Sequence, residues 1–252
     1  MCLLLLALHV VPDRPWLLLA NRDEFHARAT APAAFWADQP DVFGGRDLVA
    51  GGSWLALNHS GRYAAVTNVR TGRQTAAARS RGALVTEFVA TTVAADQFAA
   101  NVAAQREQYG PFNLVLGDRE QAFFVSSIDG VPRRLDNGVH AFSNGSRADE
   151  WPKMRRLREG FAAALAAAPP SESALLDLLR DTRQPEDAEL PDTGVGLPLE
   201  RVLAPVFIVG DAYGTRASTL AYAHDDGSLV LTERRFGPNA VPMGETRIDT
   251  AE

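Results

Sequence analysis

The sequence predicts an α+β fold built on antiparallel strands, and three observations carry that expectation. Short apolar runs flank turn-forming segments such as Asn58-His59-Ser60-Gly61, the pattern of hairpins. Alanine-rich stretches with apolar residues at helical spacing stand between those blocks. The order is therefore strands, helices, strands, helices, strands, without the strict alternation of a doubly wound parallel sheet. With 252 residues and 46% hydrophobic content, the chain is long enough to bury a large core as a single domain, residues 1–252.

Residues 3–10 and 16–20 are almost wholly apolar and flank Val11-Pro12-Asp13-Arg14-Pro15, so they read as a hairpin buried on both faces. Residues 54–57 and 62–67 make a second hairpin around Asn58–Gly61. The stretch 80–108 lacks Gly and Pro after Gly82 and predicts one or two helices. Strands follow at 112–117, 122–127 and 139–143. Pro152, just inside a long Ala/Leu/Arg stretch, marks a helix start, and that helix should end before Pro169-Pro170. A short helix is expected at 173–180. The Pro/Asp/Gly-rich stretch 181–203 reads as a loop. A strand at 205–210 and a hairpin of 215–223 and 228–236 complete the pattern.

Composition excludes several classes of function. A net charge of −6 leaves no cation excess to neutralise a phosphate backbone, so nucleic acid is not an expected partner. Lys153 is the only lysine, and the skew toward arginine reads as compositional bias. A lone cysteine, Cys2, permits neither an intrachain disulfide nor a cysteine-based zinc site and fits a reducing, cytoplasmic setting. Leu3–Leu8 lacks the flanks of a signal peptide and reads as a buried strand. No segment approaches the roughly 20 apolar residues of a membrane span. His9, His26, His59, His140 and His224 form no pair at metal-ligand spacing, and no glycine-rich cradle opens a helix. Neither a metal nor a resident cofactor is expected; the oligomeric state is left open.

Strand pairing locates a candidate site, because opposed residue numbers in an antiparallel hairpin have a constant sum. A sum of about 25 for the first hairpin sets Cys2 opposite Asp23 and next to Arg22, while about 119 for the second sets Thr67-Asn68 against Gly51-Gly52-Ser53. In the last hairpin a sum of about 451 places Arg216 at the open end. Polar residues thus gather at the open ends of three hairpins whose middles are apolar. If Met1 is removed, the Cys2 thiol shares its residue with an α-amine of pKa ~7.7–8.0, able to act as its general base. A neighbouring guanidinium would lower the thiol pKa. The residues alone also permit plainer roles: Cys2 as a small buried side chain, Arg22 and Asp23 as a salt bridge, Asn68 and Asn144 as backbone partners at strand ends, and Arg216 as a surface charge.

Ten motifs occur in order: Met1-Cys2, Asn21-Arg22-Asp23-Glu24, Gly45-Arg46-Asp47-Leu48, Gly51-Gly52-Ser53-Trp54-Leu55-Ala56, Thr67-Asn68-Val69-Arg70, Ser80-Arg81-Gly82, Phe112-Asn113-Leu114, Ser143-Asn144, Trp151-Pro152-Lys153 and Tyr213-Gly214-Thr215-Arg216. Together they resemble the NRDE family, also called the transport-and-Golgi-organisation-2 protein family, over residues 1–236. Ser53 stands where that family usually has threonine and keeps the hydroxyl.

The resemblance implies a four-layer αββα sandwich of antiparallel sheets, similar to N-terminal-nucleophile hydrolases of the choloylglycine-hydrolase and penicillin-V-acylase type. It implies Cys2 as nucleophile and base, Arg22 as the thiolate's neighbour and Asp23 as anchor of the amine. Asn68 and Asn144 become oxyanion or orienting donors, and Arg216 completes the pocket. Those amidases separate the early Arg and Asp by two residues, so here Asp23 and Glu24 compete for the anchoring role. Asn21, Glu24, Ser53, Trp54 and Thr67, from the same motifs, are the candidate substrate-binding residues. The implied activity is hydrolysis of a small acylated molecule, an amide or a thioester. The family also suggests a second class, a non-catalytic protein handling haem, lipid or acyl-CoA in the same pocket, with Cys2, His9 or His140 as iron ligand.

Overall fold

The leucine run at the chain start forms β1 (Cys2–Val11) and the next apolar run β2 (Arg14–Phe25). A computed structural model describes residues 2–72, 77–167 and 170–251, with Cys2 described by its backbone. Two further strands, β3 (Thr30–Trp36) and β4 (Gln39–Asp47), precede the hairpin of β5 (Leu55–Asn58) and β6 (Tyr63–Asn68). The alanine-rich stretch divides into α1 (Arg81–Ala90), whose Gly82 amide donates to the Ser80 hydroxyl, and α2 (Ala95–Ala104). Next come β7 (Phe112–Gly117), β8 (Ala122–Ser126), β9 (Arg133–Arg134) and β10 (Gly138–Phe142). Helix α3 (Pro152–Ala167) starts at its proline, and Ser171 caps α4 (Glu172–Leu178). Helix α5 (Leu197–Leu203) leads to β11 (Tyr213–Ala223), β12 (Leu229–Phe236) and β13 (Pro242–Asp249).

The strands form a six-stranded sheet, β10-β1-β2-β11-β12-β13, and a seven-stranded sheet, β3-β4-β5-β6-β7-β8-β9, with antiparallel pairing in both. Pleating explains why the leucine run is unbroken. Leu4, Leu6 and Leu8 face the second sheet, packing with Phe43 and Leu57, while Leu3 and Leu5 face the helices, packing with Phe161 and Leu175. On the far side, Leu84, Phe88 and Ala99 of α1 and α2 cover Val66 and Leu114. The result is the expected α+β, four-layer αββα sandwich.

Several element expectations need correction. Residues 181–203 are not one loop, since they contain a 3-10 turn at Asp187–Glu189 and α5. The apolar segment 205–210 is not a strand: Phe207 N donates to Asp181 O, and Ile208 bonds with Thr215 through both its amide and its carbonyl. Strands β3, β4 and β13 had no counterpart in the hydropathy pattern. Pro32 interrupts β3, and β13 is a largely exposed edge strand. The predicted end of α3 falls at residues 168–169, outside the described residues.

Register also differs by one residue. Opposed numbers in the first hairpin sum to 25 at Val11↔Arg14 and to 24 from Leu8↔Trp16 onward, so Cys2 opposes Arg22, not Asp23. The cause is a bulge between Leu8 and Val11, where His9 adopts φ 51°. The other two hairpins sum to 120 and 452, each one residue from expectation.

Candidate active site

The open end of the first hairpin brings the backbone of residue 2 against Arg22. The Cys2 side chain and Met1 lie outside the described residues. A cavity of about 220 Å³ lies at this end, framed by the end of β2, the entry to β5, the end of β6 and the start of α1. Arg22, Asp23, Glu24, Ser53, Trp54 and Asn68 line it. Thus both sheets contribute.

Arg22 is buried; it donates from Nη1 to Thr30 Oγ1 at 3.0 Å and lies 4.1 Å over the Trp54 ring. This cation–π pair joins the two sheets at the cavity wall. Asp23 is buried and accepts from Thr215 Oγ1 at 2.7 Å. Burial pushes its carboxyl above the ordinary range, against the opposing pull of the Lys153 ammonium. Glu24 is less buried, accepts from the Phe25 amide at 2.8 Å and lies 3.9 Å from Arg28. Ser53 Oγ lies 2.7 Å from the carbonyls of Gly45 and Leu55, so its hydroxyl fixes backbone at the wall.

Four other predicted residues stand apart from this group. Asn21 faces the helical layer: its Nδ2 donates to the carbonyls of Leu179 and Val206, and its Oδ1 accepts from Ser218 Oγ. Thr67 Oγ1 donates to Ser143 O at 2.6 Å, and Asn144 Nδ2 donates to Asn68 O at 2.8 Å. Both contacts tie the ends of the two sheets together. Arg216 lines a neighbouring cavity with Arg22 and Trp54 and donates to Thr30 Oγ1 at 3.2 Å and to the Arg28 carbonyl.

Sequence reasoning overlooked Lys153 and Glu233. Lys153, at the start of α3, is buried with Nζ donating to Leu203 O at 3.3 Å, and its charge acts on Asp23. A solitary lysine in an arginine-rich chain was the available signal. Glu233, buried on β12, accepts from the Ala33 amide at 2.9 Å and lies 3.6 Å from Arg235. Nothing in its local sequence marks it.

His9 is exposed in the bulge and lies about 23 Å along the strand from residue 2, at 3.3 Å per residue. His140 opposes Leu6, and its Nε2 lies 2.8 Å from Asp136 O. Neither lines the two cavities, so the side chains named for iron do not converge with residue 2. Among the described residues no group of three or more His, Cys, Asp or Glu is placed to hold a metal ion, and no helix is long and apolar enough to cross a membrane.

The model of the family described as Transport and Golgi organisation 2 matches residues 1–238. The Transport and Golgi organization protein 2 homolog of Homo sapiens is 30% identical over 249 residues, covering 92% of this chain and 90% of its own. Transport and Golgi organization protein 2 of Drosophila melanogaster is 29% identical over 246 residues, covering 86% and 84%. Among solved structures, the mutant C2A conjugated bile acid hydrolase from Clostridium perfringens aligns with a TM-score of 0.56 at 10% identity, over 100% of this chain and 93% of that one. That likeness is one of fold, two antiparallel sheets between layers of helices. The chain belongs to the Transport and Golgi organisation 2 family.

Proposed function

We propose that this protein is a cytoplasmic cysteine amidohydrolase of the N-terminal-nucleophile type, acting on a small acylated amide or thioester once Met1 has been removed. The observation that carries the reading is the register: the backbone of residue 2 opposes Arg22, which lines a polar cavity with Asp23 and Asn68. A fold shared with a bile acid hydrolase supports it.

In this reading the α-amine of Cys2 takes the thiol proton, and the Arg22 guanidinium favours the thiolate. Asp23 anchors the resulting ammonium. The sulfur attacks the carbonyl carbon, and the oxyanion accepts hydrogen bonds, one of them from the Asn68 side chain. The tetrahedral adduct collapses by breaking the bond to the leaving nitrogen or sulfur, which departs with the proton held by the amine. Water then gives that amine a proton, attacks the acyl-enzyme carbonyl, and releases the acid and the thiol. Losing one oxyanion donor typically costs about 2.7–4 kcal/mol in the transition state, so Asn68→Ala should lower kcat roughly a hundredfold or more.

The test joins intact mass to a turnover screen. Mature protein should lack Met1, and N-acyl amides, lactones and thioesters should be consumed by the parent but not by Cys2→Ser. Retained Met1, or turnover indifferent to Cys2→Ser, refutes the mechanism.

A further inference from the structure

Arg22 and Trp54 line a second cavity as well as the first, this one of about 350 Å³. Its wall has two chemical characters. Ala31, Pro32, Phe236, Pro238 and Met243 supply carbon surface, while Arg22, Arg216 and Arg235 supply guanidinium groups. Among the described residues, Glu233 is the only carboxylate in that wall. It is already engaged with the Ala33 amide and Arg235, and burial holds its carboxyl above the ordinary range, which weakens its negative charge. His26, also in the wall, is held below its ordinary pKa by burial and by Arg216, so it adds little charge at neutral pH.

Arg216 feels the carboxylates of Glu24 and Asp47 only at longer range. It forms no ion pair with any described residue, and its Nη1 donates to the carbonyls of Phe25 and Arg28 and to the Thr30 hydroxyl. Its Nε is buried without a hydrogen-bond partner among the described residues. A buried donor left unmatched is a free-energy cost that the fold carries at this wall. The cavity volume falls at the lower end of the range for small-ligand sites, about 300–1,000 Å³.

The geometry points to a subsite for a small amphiphilic anion, a carboxylate held by Arg216 and Arg235 with an alkyl tail lying on Pro32 and Phe236. As a statement of substrate class, an acylated molecule that carries an anionic group, it rests on the hydrolase reading; the binding itself does not. The shared wall of Arg22 and Trp54 would let one molecule reach both cavities.

Calorimetric titration of the Cys2→Ala protein with octanoate, its neutral isostere octanamide, and acetate tests the subsite without turnover. Octanoate should bind about tenfold or more tightly than octanamide, the size expected for a charge-assisted contact. It should also bind more tightly than acetate. Arg216→Gln and Arg235→Gln, each checked by circular dichroism for an intact fold, should both reduce the preference for octanoate over octanamide. Equal affinity for octanoate and octanamide overturns the anion site, and equal affinity for octanoate and acetate overturns its apolar half. Selective octanoate binding by a parent that hydrolyses nothing keeps the subsite while removing the hydrolase reading.

Discussion

Replacing Lys153 by methionine isolates the electrostatics beneath the candidate site. The side chain is 2% exposed, its ammonium donates to Leu203 O, and it is the strongest of the cations opposing the burial penalty at Asp23. Methionine keeps an unbranched, largely apolar stem and deletes the charge. Removing one partner of a buried charge pair typically costs about 3–5 kcal/mol. In a chain of this size each kcal/mol moves Tm by about 2–4 °C, so Lys153→Met should melt roughly 6–20 °C below the parent at pH 7.5. The deficit should depend on pH with a definite sign. Without the ammonium, the folded-state pKa of Asp23 rises further above its ordinary value, so the folded chain binds its proton first. The variant's deficit therefore narrows as pH falls through that raised pKa. Asp23→Asn in the same chain should recover part of the loss, because it removes the stranded carboxylate. Thermal and urea unfolding followed by tryptophan fluorescence read all three proteins. A Lys153→Met midpoint within about 2 °C of the parent, less than 1 kcal/mol, would refute the coupling.

Three other substitutions probe the frame around the cavity. Arg70 and Glu200 form an ion pair with side-chain exposures of 4% and 3%, and Glu200 also accepts from the amide and hydroxyl of Thr193. Glu200→Gln removes the carboxylate from this buried pair, so it should cost about 3–5 kcal/mol in urea unfolding and speed proteolysis within 181–196; an unchanged digestion pattern would count against Glu200 as the tie on that segment. A Cβ at Gly52 would lie 2.5 Å from the carbonyl carbon of Gly82 at the start of α1. Gly52→Ala should thus destabilise by about 1–3 kcal/mol, and a neutral melting curve would mean that the contact relaxes freely. Burial raises the Glu233 carboxyl above 4.5, so its contribution to stability is present below that pH and lost as pH rises through the folded-state value. Glu233→Gln should consequently gain stability over the parent from pH 5 to 8, and a gap that instead widens toward pH 4 would reverse the assigned sign.

Hydropathy exposed the parts of the fold that bury apolar side chains at a fixed period. Leu3–Leu8 is apolar on both faces because one face meets the second sheet and the other meets α3 and α4, and α1 and α2 follow from alanine-rich helical spacing. The misses have a common cause. β13 is exposed along most of its length and β3 contains Pro32, so backbone pairing with β12 and β4, more than side-chain pattern, defines them. Conversely, Val206, Phe207 and Ile208 look like a strand because all three are buried, yet the partners of the Phe207 and Ile208 amides are a loop carbonyl and the Thr215 hydroxyl. Burial is legible in a sequence, whereas the identity of a hydrogen-bond partner often is not.

The site illustrates the same division at finer scale. Arg22, Asp23, Ser53, Trp54 and Asn68 sit at strand ends that turn positions locate to within one residue, but pleating makes that one residue decisive. Along β2, Asn21 bonds to the helical side, Arg22 stacks on Trp54 of the opposite sheet, and Asp23 is influenced by Lys153 of α3. The bulge between Leu8 and Val11 therefore determines whether the backbone of residue 2 opposes a carboxylate or a guanidinium. A hydropathy profile barely registers such an insertion, since His9 and Val10 are exposed residues just before the turn. The chemical neighbourhood of residue 2 is consequently set at the far end of its own strand, in a bulge that begins beyond Leu8.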